Sequence, residues 1–265
     1  VRPIPSLLKA MAKFFLRFFE TLFSLLLGLC LIVAGAYSAY ALWDNNQIYT
    51  AAEDVQAQML SLKPTVGEDA EAGPSFEDLL AVNPDVCAWL ELDGTKIDYP
   101  VLQGEDNLSY INTDVYGNFA LAGSIFLDSG CNNFFSSAYN LLHGHHMEGG
   151  RMFGDLDLYK EQKFFTENTT GTLLLPNQTY QLEIFACLVD SSSEHNIYDV
   201  YRWQTDIKGL MDYVSQNAMY VHQETIDRTL ALENPQVLAM STCSSEYTNA
   251  RTIILAAMVP TAPGM

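Results

Sequence analysis

AWLELDGTKIDYPVL, residues 88–102, reads as a β-hairpin. Ala88–Leu92 and Ile97–Leu102 are strand-like runs, and Asp93-Gly94 between them is a dipeptide that accepts the positive φ of a tight turn. Working outward, the same reading gives strands at Ser124–Leu127, Ala138–Leu142, Thr172–Leu175, Thr179–Val189, Val237–Ser241 and Thr252–Val259. Two helical insertions interrupt them. One begins near Arg151 and carries Met152, Leu156 and Tyr159; the other runs from about 203 to 217 with Trp203, Ile207, Leu210, Met211 and Val214 at helical spacing. Both stripes read as core packing. About eight short strands with few helices predict a mainly β fold, a closed or nearly closed barrel with peripheral helices, because closure removes exposed strand edges.

Upstream of the hairpin the chain changes character. TLFSLLLGLCLIVAGAYSAYALW, residues 21–43, contains no charge and is long enough to cross a bilayer as a helix. Arg2, Lys9, Lys13 and Arg17 precede it, whereas Asp44, Glu53 and Asp54 are the first charges beyond it. The positive-inside rule therefore places residues 1–20 in the cytoplasm, the span at 21–43 and the bulk of the chain outside. A cleaved signal peptide is the rival, with Ala39 and Ala41 near a cleavage site, but the uncharged run is long for one. Residues 44–62 carry Ile48, Val55, Met59 and Leu62 at helical spacing, and 63–74 (KPTVGEDAEAGP) read as a linker, so 44–74 form a stalk. Ser75 with Asp78 resembles a capping box that opens a short helix through Leu80. The main domain then spans 75–260, and 261–265 are a tail.

The formal charge is −19, and residues 1–20 are net basic, so the remainder is more acidic still. Such a surface repels phosphates and excludes nucleic acid as a partner. It suits cationic partners, amines included. The five cysteines, at 30, 87, 131, 187 and 243, contain no C-x-x-C pair, which excludes zinc-ribbon and thioredoxin readings. Cys30 falls in the span. Cys87 and Cys187 sit in strand-like runs, as small buried thiols do.

Cys243 is different. It ends the apolar run at Ser241-Thr242-Cys243, and Arg251 follows at the start of the last strand. Another strand runs into His143-Gly144-His145-His146. A cysteine and a histidine at strand ends suit nucleophilic catalysis, with the thiolate attacking and the imidazole moving the proton. An arginine that stays charged can face a developing oxyanion. Together they supply the parts needed for acyl transfer.

From about Asn83 to Val259 the chain resembles the class B sortases. The resemblance rests on NPDVCAWLELDGTKIDYPV (83–101), DNLSYI (106–111), GSIFLD (123–128), LHGHHMEGGRMFGDLDLY (142–159) and STCSSEYTNARTIIL (241–255). A helix between the sixth and seventh strands, as at 203–217, fits as well. The resemblance implies a membrane-anchored cysteine transpeptidase on the outer face of a Gram-positive cell. It makes His145 the general acid/base, Cys243 the nucleophile and Arg251 the oxyanion or substrate-orienting residue. Ser241 and Thr242 match positions lining the groove for a C-terminal sorting signal of the N-P-x-T-x kind. Asn107 and Ile111 match a peptide-holding Asn-x-x-x-Leu stretch, with Ile in place of Leu. His143 stands where the family often has tyrosine, and His143 and His146 read as structural or surface residues. The implied partners are secreted proteins bearing the signal and an amine of peptidoglycan or of a pilin lysine, with no cofactor and no metal. Two other readings use the same residues: a hydrolytic cysteine peptidase, and a metal-binding surface protein built on the three clustered histidines.

Overall fold

A computed structural model describes residues 6–65, 73–191, 196–243 and 250–261, excepting the side chains of Ser6, Leu7, Ser191 and Cys243. Parts of the linker (66–72) and nearly all of the tail (262–265) lie outside the described residues. The chain divides into two units, Val1–Gln47 and Ile48–Met265. Within the first, residues 8–47 belong to a helix, α1 (Ser6–Leu60), whose large apolar side chains from Leu8 to Trp43 are exposed. It is long enough to cross a bilayer and holds an 18-residue stretch with a mean hydropathy of 2.1, which makes it a candidate membrane span.

The second unit is the barrel. Its strands are β1 (Val86–Leu92), β2 (Asp98–Leu102), β3 (Ile125–Leu127), β4 (Tyr139–His143), β5 (Thr170–Leu174), β6 (Thr179–Ser191), β7 (Tyr220–Val221), β8 (Val237–Cys243) and β9 (Ala250–Pro260). Eight of them run in the order β5-β1-β2-β3-β4-β8-β9-β6, and β6 pairs back onto β5 to close the ring. All eight expected strands are present. The two-residue β7 hangs on β6 outside the ring and carries too short a pattern to read from sequence.

The 88–102 hairpin forms as expected, with Trp89 opposite Pro100 and Leu90 opposite Tyr99. Gly94 adopts φ +76° in its turn. Strand β1 is buried on both faces rather than alternating, for a specific reason. Leu90 and Leu92 point into the barrel core. Trp89 packs with Leu102, Phe126 and Leu174 in a second cluster roofed by Met59 of α1 and Leu79 of the next helix, α2 (Phe76–Val82). The capping box is real: Asp78 accepts from the Ser75 N–H at 2.8 Å.

The helical insertions need correction. Met152 is not helical: its φ is +51°, and Gly149 and Gly150 before it are also positive, so the chain turns there. The 3₁₀ helix begins only at Gly154, running to Lys160, and α3 (Gln162–Glu167) follows. The 203–217 stripe is two helices, α4 (Val200–Thr205) and α5 (Ile207–Asn217). Asp206 ends the first and caps the second by accepting from the Gly209 N–H at 2.8 Å. A further helix, α6 (Gln223–Leu230), was not read from the sequence.

Gly94 supplies a direct test of the hairpin. An added Cβ would meet Asn168 Oδ1 and leave an L-residue at positive φ. Gly94→Ala should destabilise the domain by about 1–2 kcal/mol. Thermal unfolding of the full chain checks this, and an unchanged midpoint would contradict the turn geometry.

Candidate active site

Strands β4 and β8 are parallel neighbours, with His143 opposite Ser241. Both chains therefore leave the barrel on the same rim, and β9 returns there antiparallel, with Arg251 opposite Cys243. Gly144 keeps the rim tight. Its N–H donates to the Ser241 carbonyl at 3.2 Å. A Cβ at Gly144 would lie 2.5 Å from Ile125 Cδ1 and 2.7 Å from Phe153 Cδ2, so no larger residue fits there without displacement. Counting two residues on from the 143–241 pair reaches His145, just past the end of β4, and Cys243, the last residue of β8.

A groove of about 200 Å³ opens at this rim. All six predicted site residues whose side chains are described, Asn107, Ile111, His145, Ser241, Thr242 and Arg251, contribute to its walls. Cys243 is placed by its backbone only, at the end of β8. The Ile111 carbonyl can only accept, so His145 Nε2, 2.7 Å away, donates to it. In the neutral ring that fixes the tautomer and leaves Nδ1 as the basic nitrogen. The Arg251 guanidinium lies beside its own strand, donating to the Ala250 carbonyl at 3.0 Å.

Ser241 and Thr242 are nearly inaccessible. The Ser241 hydroxyl lies 2.6 Å from the Tyr198 hydroxyl, whereas Thr242 Oγ1 has no hydrogen-bond partner among the described residues. Asn107 is spoken for on both sides of its amide: it donates to Asp128 at 2.8 Å and accepts from the Ser129 N–H at 2.7 Å.

His143, read as structural or surface, also lines the groove. Its Nε2 lies 2.9 Å from Asp128, and its ring stacks on Tyr198. Asp128 and Tyr198 were not read as site residues. Asp128 closes the GSIFLD block, but its partner Asn107 is 21 positions away, and Tyr198 lies in no motif. Burial disfavours ionised Asp128, but the hydrogen bond from His143, the Gly130 N–H, the His143 charge and Asn107 outweigh it and hold the carboxyl below its usual range. His146 faces a different carboxylate, Asp157, at 3.2 Å. His143 and His146 thus point to separate acidic partners, and no group of metal-ligating side chains assembles among the described residues.

Cys30, Cys87 and Cys131 carry free thiols. Burial pushes Cys87 and Cys131 up to about 12, far from the thiolate needed for attack. Cys187 is wholly buried.

An eight-stranded closed barrel with histidine, arginine and the Cys243 backbone converging on one rim groove defines a class of protein: a cysteine acyl-transfer enzyme. No family model matches the chain. Similarity to known proteins is nonetheless extensive. Listeria monocytogenes sortase B is 28% identical over 220 residues, covering 82% of this chain and 87% of that protein. The crystal structure of a Streptococcus pyogenes class B sortase involved in pilus biogenesis is 33% identical, with TM-score 0.62, covering 69% of this chain and 97% of that one. A sortase B from the type II pilus of Streptococcus pneumoniae is 30% identical, with TM-score 0.56, covering 71% and 99%. The chain belongs to the class B sortases and is a cysteine transpeptidase.

Asp128 offers a pH test. Its carboxyl is depressed in the folded state, so its contribution is present above the unfolded value of about 3.9 and is lost as pH falls through the folded one. Unfolding free energy should therefore fall as pH drops below about 4. In Asp128→Asn that acid slope should be shallower. Urea unfolding across pH 2–7 measures it, and identical slopes would contradict the pairing.

Proposed function

We propose that Cys243 is the nucleophile, His145 the general acid/base and Arg251 the oxyanion-stabilising or substrate-orienting residue of a sorting-signal transpeptidase. The observation that carries this is the register: β4, β8 and β9 bring residues 145, 243 and 251 to one rim, at a groove walled by two of those side chains.

The reaction follows from the parts. A peptide of the N-P-x-T-x kind lies in the groove, with Asn107, Ile111, Ser241 and Thr242 along its walls. The Cys243 thiolate attacks the threonine carbonyl, and the Arg251 guanidinium turns from its own strand toward the developing oxyanion. His145 as imidazolium gives its proton to the departing amine, and the C–N bond breaks to leave a thioester. An incoming primary amine then attacks the thioester. The imidazole takes its proton, the thiolate leaves and a new amide forms. With Nε2 bonded to the Ile111 carbonyl, Nδ1 is the nitrogen that exchanges this proton. The energy of one amide is carried through the thioester into the next, so the step consumes no nucleotide.

The acceptor in this reading is an amine of peptidoglycan or of a pilin lysine. The two solved relatives at 33% and 30% identity come from pilus systems, which favours the lysine. Residues 21–43 anchor the enzyme in the cell membrane as a single span, with the N-terminus cytoplasmic and residues 75–260 outside, where secreted substrates emerge. The domain division into 1–20, 21–43, 44–74, 75–260 and 261–265 belongs to the same proposal.

Full-length enzyme incubated with sorting peptides and both amine types should yield an amide adduct by mass spectrometry. A free carboxylate as the sole product, whatever amine is supplied, would make the protein a peptidase instead. Cys243→Ala should abolish cleavage and transfer together. His145→Ala should lose about 10² to 10⁴-fold. Arg251→Lys keeps the charge but not the fork and should lose activity severely; near-normal turnover in that variant would remove the arginine from the mechanism.

A further inference from the structure

Resting on the catalytic reading of His145 and Arg251, we infer that Asp157 is a positioning residue, one carboxylate that braces the histidine segment against the arginine strand. The two elements need a brace. β4 and β9 are not paired with each other, because β8 lies between them. His145 stands two residues beyond the end of β4, where the Phe153 N–H donates to its carbonyl at 3.0 Å, its Nε2 donates to the Ile111 carbonyl and a bridge joins His146 to Met152.

Asp157, in the 3₁₀ helix Gly154–Lys160, reaches both sides. Its Oδ2 meets His146 Nε2 at 3.2 Å. Its Oδ1 accepts from the Thr252 hydroxyl at 2.7 Å and from the Lys160 ammonium at 2.8 Å. His146 directly follows His145, and Thr252 directly follows Arg251. Successive side chains of a strand point to opposite faces, so with Thr252 turned to Asp157, Arg251 is turned the other way, where it walls the groove. Asp157 therefore grips the back of both functional segments without touching the reacting atoms. Burial works against its ionisation, but the hydrogen bonds from His146, Lys160 and Thr252 prevail and keep the carboxyl well below its usual range, so the brace is charged throughout the working pH. Thr252 is itself fully buried, so its hydroxyl has a fixed direction.

The substitution series separates hydroxyl from shape. Thr252→Val keeps the volume and removes the donor; Thr252→Ser keeps the donor. Asp157→Asn keeps the shape but removes the negative charge that holds the Lys160 ammonium, and its N–H₂ meets His146 only if Nε2 becomes the acceptor. In the full-length enzyme, Thr252→Val and Asp157→Asn should each lower kcat by about tenfold to a hundredfold, as sub-ångström misplacement of a catalytic pair does, with KM within about twofold. Thr252→Ser should retain most of kcat. Wild-type kcat in Thr252→Val and Asp157→Asn would overturn the brace. So would equal losses in the Ser and Val variants, or a KM increase in place of the kcat loss. Cys243→Ala run alongside keeps the two ideas apart: its inactivity with normal Thr252→Val turnover sinks the brace alone, whereas retained activity in Cys243→Ala sinks the catalytic assignment beneath it.

Discussion

The parallel pairing of β4 with β8 is the constraint on which the rest of this protein depends. A ladder that sets Tyr139 opposite Val237 and His143 opposite Ser241 leaves no freedom in where the two strands end. Slipping it by one residue would turn every buried side chain of both strands toward the wrong face, and these strands are buried almost without interruption. Core packing thus specifies the register, and the register places His145 and Cys243 at matching positions beyond it. β9 adds Arg251 by the same means, paired to β8 on one side and to Asp190 of β6 on the other. The site is a consequence of barrel closure and needs no flexible loop to assemble its backbone.

That dependence explains why so much was legible in the sequence. The hairpin announced itself through Asp93-Gly94, and the strand ends through apolar runs that stop at His143 and Cys243. Legibility failed where structure depends on contacts between distant segments. Asp206 interrupts the 203–217 stripe because its side chain caps a new helix; the stripe's spacing carries no trace of this. Met152 looks like the start of a helix by hydrophobicity, yet the paired glycines before it and its own positive φ make a turn. β7 and α6 are too short or too polar to stand out.

The groove shows the same division. The sequence motifs supply residues of its walls, but the side chains that hold them were not legible there. Asp128 gathers Asn107 and His143 from positions 21 and 15 residues apart, and Tyr198 meets Ser241 across 43. Hydrogen bonds between side chains so far apart leave no periodicity. His143 is instructive: it keeps an aromatic ring in the wall, stacked on Tyr198, and adds a hydrogen bond with Asp128. Carboxylates meet the two histidines that flank His145, Asp128 at His143 and Asp157 at His146.

The central claim is that one acyl intermediate forms at the end of β8. Intact-mass spectrometry of the full-length enzyme, quenched in acid after mixing with a sorting peptide and no added amine, tests this most directly. The account predicts a mass increase equal to the acyl fragment, mapped by digestion to the peptide containing Cys243 and lost on treatment with hydroxylamine. An adduct on Cys87, Cys131 or Cys187, or peptide cleavage with no adduct at any quench time, would contradict it.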